Sequence, residues 1–184
     1  MADLLAIPEE ERFHEIIDGE LVRKAMPSGA HGGAQARVTT RISGAYDRRP
    51  GGRWPGGWRF ATEVEIQLEE HHVYRPDVCG WRRGRMAALP KETPIMVRPD
   101  WVCEILSPSN SRNDLVKKMR TYQRCQVPHY WVVDPHQETL TVHRWMPEGY
   151  LLVLAAERPD RVKAEPFDAI ELSVAVLFGD DDDE

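Results

Sequence analysis

The run Trp101-Val102-Cys103-Glu104-Ile105-Leu106, closed by Ser107-Pro108, constrains the fold more than any other stretch of the 184 residues. A continuous apolar segment without alternation reads as a strand covered on both faces, so the chain needs a layer on each side of a sheet. Glu104 interrupts the pattern. Burying an ionised carboxylate is costly unless a cation, a metal or several donors compensate it, and a chain tolerates that cost most readily at a functional site. Asp77 stands in a similar setting, within Arg75-Pro76-Asp77-Val78-Cys79-Gly80-Trp81. Two carboxylates on neighbouring strands suggest a divalent-metal site.

The remaining elements are read around that strand. Asp18-Gly19, between Ile16-Ile17 and Leu21-Val22, is a hairpin signal following a short helical stretch. Pro27 to Gly33 reads as a loop, and Val38, Ile42 and Tyr46 mark an amphipathic helix from Ala34 to about Tyr46. Arg48 to Trp58 is a long Gly- and Pro-rich loop. Phe60 to Leu68 alternates and predicts one strand, with Glu63 and Glu65 sharing a face. A turn at His71-His72 leads to a second strand, Val73 to Trp81, and Arg82 to Arg98 is a loop with room for one helical turn. Caps within Ser107 to Ser111 precede a helix from about Arg112 to Cys125, with Leu115, Met119 and Tyr122 as its apolar stripe. His129 to Val133 is another apolar strand. A hairpin over Thr139–Trp145 and Tyr150–Ala155 follows, then a closing strand and short helix between Phe167 and Phe178. This order predicts an α+β or mixed α/β class, as one domain over residues 1–178 followed by an acidic, disordered tail over 179–184.

A hydrophobic content of 41% and a charged content of 29% fit a globular protein. No apolar run approaches the roughly 20 residues of a membrane span, and no signal-peptide pattern opens the chain. Cys79, Cys103 and Cys125 are odd in number and widely spaced, which predicts reduced thiols in a cytoplasm. The spacing of Cys79, Cys103 and His129 does not support zinc, and buried free thiols are expected. The net charge of −6 is largely the work of Asp180 to Glu184; without those five of the 30 acids, 25 face 24 bases. Arg48-Arg49, Arg82-Arg83-Gly84-Arg85 and Lys117-Lys118 form basic patches of a kind that can contact phosphate, although solvated surface is the plainer reading.

Glu63 and Glu65, Asp77 and Glu104 come from three successive strands. If these pair as a meander, the acids meet at one sheet edge, in a set suited to Mg²⁺ with water and substrate phosphate. Asp114, Lys118 and Tyr122 share a helical face by their four-residue spacing. Tyr122 is expected in the core, so Lys118 points inward with it, whereas Lys117 is solvated. Lys118 could orient water or offset transition-state charge. His31, after its Gly-rich loop, could reach the cleft or bind phosphate. Trp54 and Trp58 could stack on bases or cover a core edge, and Trp81, Trp101 and Trp131 read as packing.

Several strings together resemble the Uma-two family, which is similar to the PD-(D/E)XK nucleases of restriction-endonuclease-like fold. They are Ile17-Asp18-Gly19-Glu20-Leu21, Arg75-Pro76-Asp77-Val78, Trp101 to Ser109, the Asp114, Lys118, Tyr122 series, and Val127-Pro128-His129-Tyr130-Trp131-Val132-Val133-Asp134-Pro135. The resemblance runs from about Phe13 to Phe178. It implies a mixed central sheet flanked by helices, with Asp77 as the Pro-Asp acid and Glu104 as the acid of the Glu-x-Lys motif. The lysine of that motif is Leu106 here, and Lys118 matches a lysine moved onto the following helix. Glu63 or Glu65 matches an acid on the first core strand, with Glu65 favoured.

The expectation is therefore a Mg²⁺-dependent endonuclease, with Mn²⁺ as substitute. Its ligands would be Asp77, Glu104 and one of Glu65 or Glu63, with Lys118 assisting; His31, Lys117 and Arg82 are possible substrate contacts. The partner would be nucleic acid, DNA before RNA, and the assembly a homodimer by analogy with enzymes that cut both strands. The alternative is a non-catalytic nucleic-acid-binding or protein-interaction module that retains the fold, with Glu104 as an internal ion-pair partner.

Overall fold

A computed structural model describes residues 2–107 and 113–181. The chain opens with α1 (Ala2–Leu5) and a 3-10 turn at Glu9–Glu11, then the hairpin β1 (His14–Ile17) and β2 (Glu20–Arg23). Asp18 and Gly19 both take left-handed backbone angles, φ 53° and 82°. This is the two-residue turn whose twist matches antiparallel strands. α2 (Gly29–Tyr46) begins five residues before the expected Ala34, because the Ser28 side chain caps it by accepting from the His31 amide. Its buried face is His31, Ala34, Val38, Ile42, Ala45 and Tyr46.

The two strands expected over Phe60–Leu68 and Val73–Trp81 are each broken in two. β3 (Trp58–Ala61) and β6 (Val78–Arg82) pair in one sheet, while β4 (Ile66–Glu69) and β5 (His72–Tyr74) pair in another. Pro76 has no N–H for the ladder, and Glu63 adopts φ 55°, which turns the chain out of extended geometry. The Glu63 amide still donates to the Pro76 carbonyl, so both arms of this long hairpin bend together. Alternation across the bend is lost, and with it the expected shared face of Glu63 and Glu65. The segment between β6 and β7 makes one turn, closed by the Met86 amide on the Arg82 carbonyl at 3.0 Å, and Ile95 then bonds alongside β4.

β7 (Trp101–Ile105) is buried throughout. A π-helical segment, Asn113–Lys118, then runs into α3 (Met119–Arg124). The caps expected at Ser109, Asn110 and Ser111 lie outside the described residues. Of the expected stripe Tyr122 is buried and Met119 partly so, but Leu115 is exposed, as is Val116, while Asp114 and Lys118 are buried. β8 (His129–Asp134), β9 (Thr139–Met146) and β10 (Gly149–Glu157) follow, then β11 (Arg161–Val162), β12 (Leu172–Ser173) and α4 (Val174–Leu177). Asp180, at the head of the acidic tail, pairs with Arg158; Asp182 to Glu184 lie outside the described residues.

The fold is α+β, with a mixed six-stranded sheet ordered β10-β9-β8-β7-β6-β3. β7 and β8 are parallel and the other pairs antiparallel, so β3, β6 and β7 form the expected meander. On one face Trp58, Phe60, Trp101, Cys103, Trp131 and Phe167 pack with α2 and α4. Phe167 is the hub, its ring centroid 4.8–5.7 Å from five other aromatic rings. On the other face Tyr74, Cys79, Trp81, Val102, Tyr122 and Tyr130 join the four-stranded sheet β2-β1-β5-β4 and α3. Glu104 follows Val102 by two residues and so enters this second layer. Cys79 pairs with Val102, not Cys103, which sends the two thiols to opposite faces as buried free cysteines.

Candidate functional site

Asp77 leaves the bend just before β6, one position beyond the Val78–Cys103 pair, and thus lies beside Glu104 on β7. The Ile105 amide donates to Asp77 Oδ2 at 2.6 Å. Its Oδ1 accepts from Lys24 Nζ at 2.7 Å and lies 3.2 Å from His31 Nε2. Burial alone would raise the Asp77 pKa. The His31 hydrogen bond and the Lys24 charge outweigh burial and hold it well below the usual carboxylate range.

Glu104 has a different environment. Its Oε1 accepts from the Tyr122 hydroxyl at 2.7 Å and from Lys118 Nζ at 3.3 Å. Lys118 is also 2.9 Å from Glu15 on β1 and 3.1 Å from Asp114, one turn back on its own helix. The Tyr130 hydroxyl donates to the Asp114 carbonyl and anchors that turn. Burial pushes the Glu104 pKa well up; Lys118 opposes this, and Asp114, Asp77 and Glu15 add to it. Asp114 is raised for the same reasons, by burial first. Burial disfavours the Lys118 ammonium, yet its three acidic neighbours raise its pKa, so the lysine stays charged.

A cleft lined by Lys24, His31, Asp77, Glu104, Asp114 and Lys118 opens between these groups. The bend brings Glu63 to its rim. Both Glu63 oxygens accept from Lys24 Nζ at 2.8 Å, and Gln35 of α2 donates to Glu63 Oε1 and to the Asp77 carbonyl. Burial raises the Glu63 pKa, with Lys24 pulling against it. Atoms of His31, Glu63 and Asp77 able to ligate a metal lie within 4.8 Å of one another.

The structure thus gathers Asp77, Glu104, Lys118, Glu63 and His31 at one place. Glu65 is not with them: it is buried against Arg12 at 3.2 Å, with Arg75 at 3.9 Å. Lys117 is half-exposed, 3.5 Å from Asp18, and Arg82 lies over the Trp58 ring at 4.3 Å; neither lines the cleft. Lys24 and Glu15 complete the site although their sequence gave them no role there, and Asp114, expected on the Lys118 face, joins them. Glu15 alternates with buried Ile16 in an ordinary hairpin strand, and Lys24 stands in an irregular segment, so only the packing of the hairpin on the second layer marks them.

The donor set suits a hard divalent cation. Five carboxylates (Glu15, Glu63, Asp77, Glu104 and Asp114) face two ammonium groups, and an imidazole completes the group. Burial is the main reason the Glu104 and Asp114 pKa values are raised, and the neighbouring acids add to it against the pull of Lys118.

A mixed sheet with helices on its faces and an Asp–Glu pair on adjacent strands defines a restriction-endonuclease-like protein. The chain belongs to the Uma2 family: the family's sequence model, described as "Putative restriction endonuclease", matches residues 1–176. Among solved structures, the chain is similar to a putative nuclease belonging to DUF820 from Anabaena variabilis. That likeness has 24% identity, 96% coverage of each chain and a TM-score of 0.76. No curated protein matches the chain. Among the described residues, no helix is long and apolar enough to cross a membrane.

Proposed function

We propose that the protein is a divalent-metal-dependent endonuclease that hydrolyses phosphodiester bonds in DNA. The observation that carries this reading is the excess of buried carboxylates over ammonium groups around Asp77 and Glu104. Asp77 and Glu104 would hold Mg²⁺, or Mn²⁺ in its place, with Glu63 or His31 completing the protein ligands. A bound ion supplies Lewis acidity toward a phosphate oxygen and lowers the pKa of a coordinated water. Lys118 is a positioning residue: hydrogen-bonded to Glu104 and flanked by Glu15 and Asp114, it fixes the carboxylate and limits its protonation. The Ile105 amide does the same for Asp77. Reduced thiols at Cys79, Cys103 and Cys125 suit a cytoplasmic setting, and a two-fold dimer would bring two sites to a duplex.

Calorimetric titration with Mn²⁺ tests the site, comparing wild type with Asp77→Ala and Glu104→Ala. Equal binding by all three proteins removes the metal reading. Incubation with single-stranded, double-stranded and branched DNA, with and without Mg²⁺, tests the reaction, and RNA in the same assay tests the substrate class.

Two observations favour the non-catalytic module instead. Glu104 is already satisfied within the protein by Tyr122 and Lys118, and Leu106 packs partly buried beside the second core layer. Under that reading divalent metal leaves the melting temperature unchanged.

A further inference from the structure

Lys24 Nζ sits among four oxygens: both Glu63 carboxylate oxygens and the Arg75 carbonyl at 2.8 Å, and Asp77 Oδ1 at 2.7 Å. An ammonium has three protons to donate, so this shell is richer in oxygen than lysine alone can use. The same two carboxylates and His31 form the cluster whose donor atoms lie within 4.8 Å of one another. His31 is nine-tenths buried and lines the cleft, and its Nδ1 has no hydrogen-bond partner among the described residues. The ammonium therefore stands where a cation belongs, beside an imidazole whose Nε2 faces the same Asp77 oxygen. Burial disfavours the Lys24 charge, but Asp77 and Glu63 raise its pKa and keep it a cation.

The Lys24 amide donates to the Phe13 carbonyl at 2.8 Å and anchors its backbone, so any exchange involves the side chain alone. Lys24 follows the last residue of β2, in a segment outside regular structure that runs to the Ser28 cap, and Met26 within it is three-quarters exposed. Beside it opens a recess of about 260 Å³ whose lining includes Phe13, Met26, Gln35, Glu63 and Arg75, with room for a side chain that leaves Asp77. A divalent ion brings one more positive charge than the ammonium into a cluster with surplus negative charge.

We propose that Lys24 is a tethered counter-ion occupying a divalent-cation site formed by His31, Glu63 and Asp77, and that metal enters by exchange with its ammonium. Lys24 then sets the metal threshold of the protein: its ammonium offsets part of the acidic charge without metal, and the site loads only when the ion outcompetes the lysine. The displaced ammonium remains at the cleft mouth, free to meet a substrate phosphate. This inference rests on the metal reading of Asp77 above.

The test is Mn²⁺ calorimetry and thermal melting on the metal-free full chain, for wild type, Lys24→Gln, Lys24→Arg, Lys24→Gln with Glu63→Gln, and Asp77→Ala. Lys24→Gln is expected to bind Mn²⁺ at least tenfold tighter than wild type and to gain more in melting temperature from it. Lys24→Arg should bind like wild type, and adding Glu63→Gln should abolish the gain. If Lys24→Gln binds no tighter while Asp77→Ala still loses binding, the exchange is overturned and the metal reading stands. If no protein binds Mn²⁺, or Asp77→Ala binds as wild type does, both fall. Should Lys24→Gln fail to fold without metal, recovery of its circular dichroism on Mn²⁺ addition supports the exchange, and no recovery at saturating Mn²⁺ overturns it.

Discussion

Lys118 on the helical segment and Glu15 on β1 meet at 2.9 Å with both side chains almost wholly excluded from solvent. This contact ties the N-terminal hairpin to the same ammonium that holds Glu104 and Asp114. Removing one partner of a buried ion pair leaves the other charge uncompensated, which costs about 3–5 kcal/mol. Lys118→Met strands three carboxylates, so a loss at or above that range is expected in urea unfolding at pH 8. The loss should be smaller at pH 5, where the stranded acids take up protons.

Glu104 and Asp114 make metal-free stability depend on pH in a defined direction. Their folded pKa values are raised above the roughly 4 of unfolded carboxylates. The stability they contribute is therefore present below that value and is lost as pH rises through their folded pKa values. Asp77 is depressed and acts oppositely: its contribution is present above the unfolded value and disappears as pH falls through the folded one. Unfolding free energy should decline from mildly acidic toward alkaline pH, and Glu104→Gln should flatten that decline. Mn²⁺, which competes with protons for these carboxylates, should stabilise the protein more at pH 8 than at pH 5.

Glu63 and Glu65 should separate by experiment. Glu65→Ala leaves the buried Arg12 without its carboxylate and should cost about 3–5 kcal/mol while Mn²⁺ affinity is retained. Glu63 is one-third exposed and touches Lys24, so Glu63→Gln should lower Mn²⁺ affinity with a change in stability of about 1 kcal/mol or less. The reverse pattern in calorimetry and urea unfolding would return Glu65 to the metal site.

Gly80 gives a control remote from the acids. A Cβ at this position would lie 2.9 Å from the Phe60 ring and 3.3 Å from Trp58, inside the aromatic layer around Phe167. Overpacking of that kind costs about 1–3 kcal/mol. Gly80→Ala should therefore melt lower than wild type, with Mn²⁺ binding unchanged below its transition.

The sequence alone determined the local features whose physics is local. Asp18-Gly19 specifies its turn through two left-handed residues, the unbroken apolar run fixes a doubly covered strand around Glu104, and four-residue spacing puts Asp114, Lys118 and Tyr122 on one face. The mixed α+β class and the Asp77–Glu104 neighbourhood follow from those features in order. The tertiary structure decided what depends on contacts far apart in the chain. Period-two alternation placed Glu63 and Glu65 together, but the left-handed Glu63 and the missing Pro76 N–H bend the hairpin between two sheets and send the two acids to different partners. The helix exposes Leu115 and buries Asp114 and Lys118 along with Tyr122, and there Lys118 meets Glu15 and Glu104 from distant strands. Lys24 carries no signal in its own neighbourhood. It enters the site only because the hairpin packs β1 and β2 over the bend, where two carboxylates and a carbonyl converge on its ammonium.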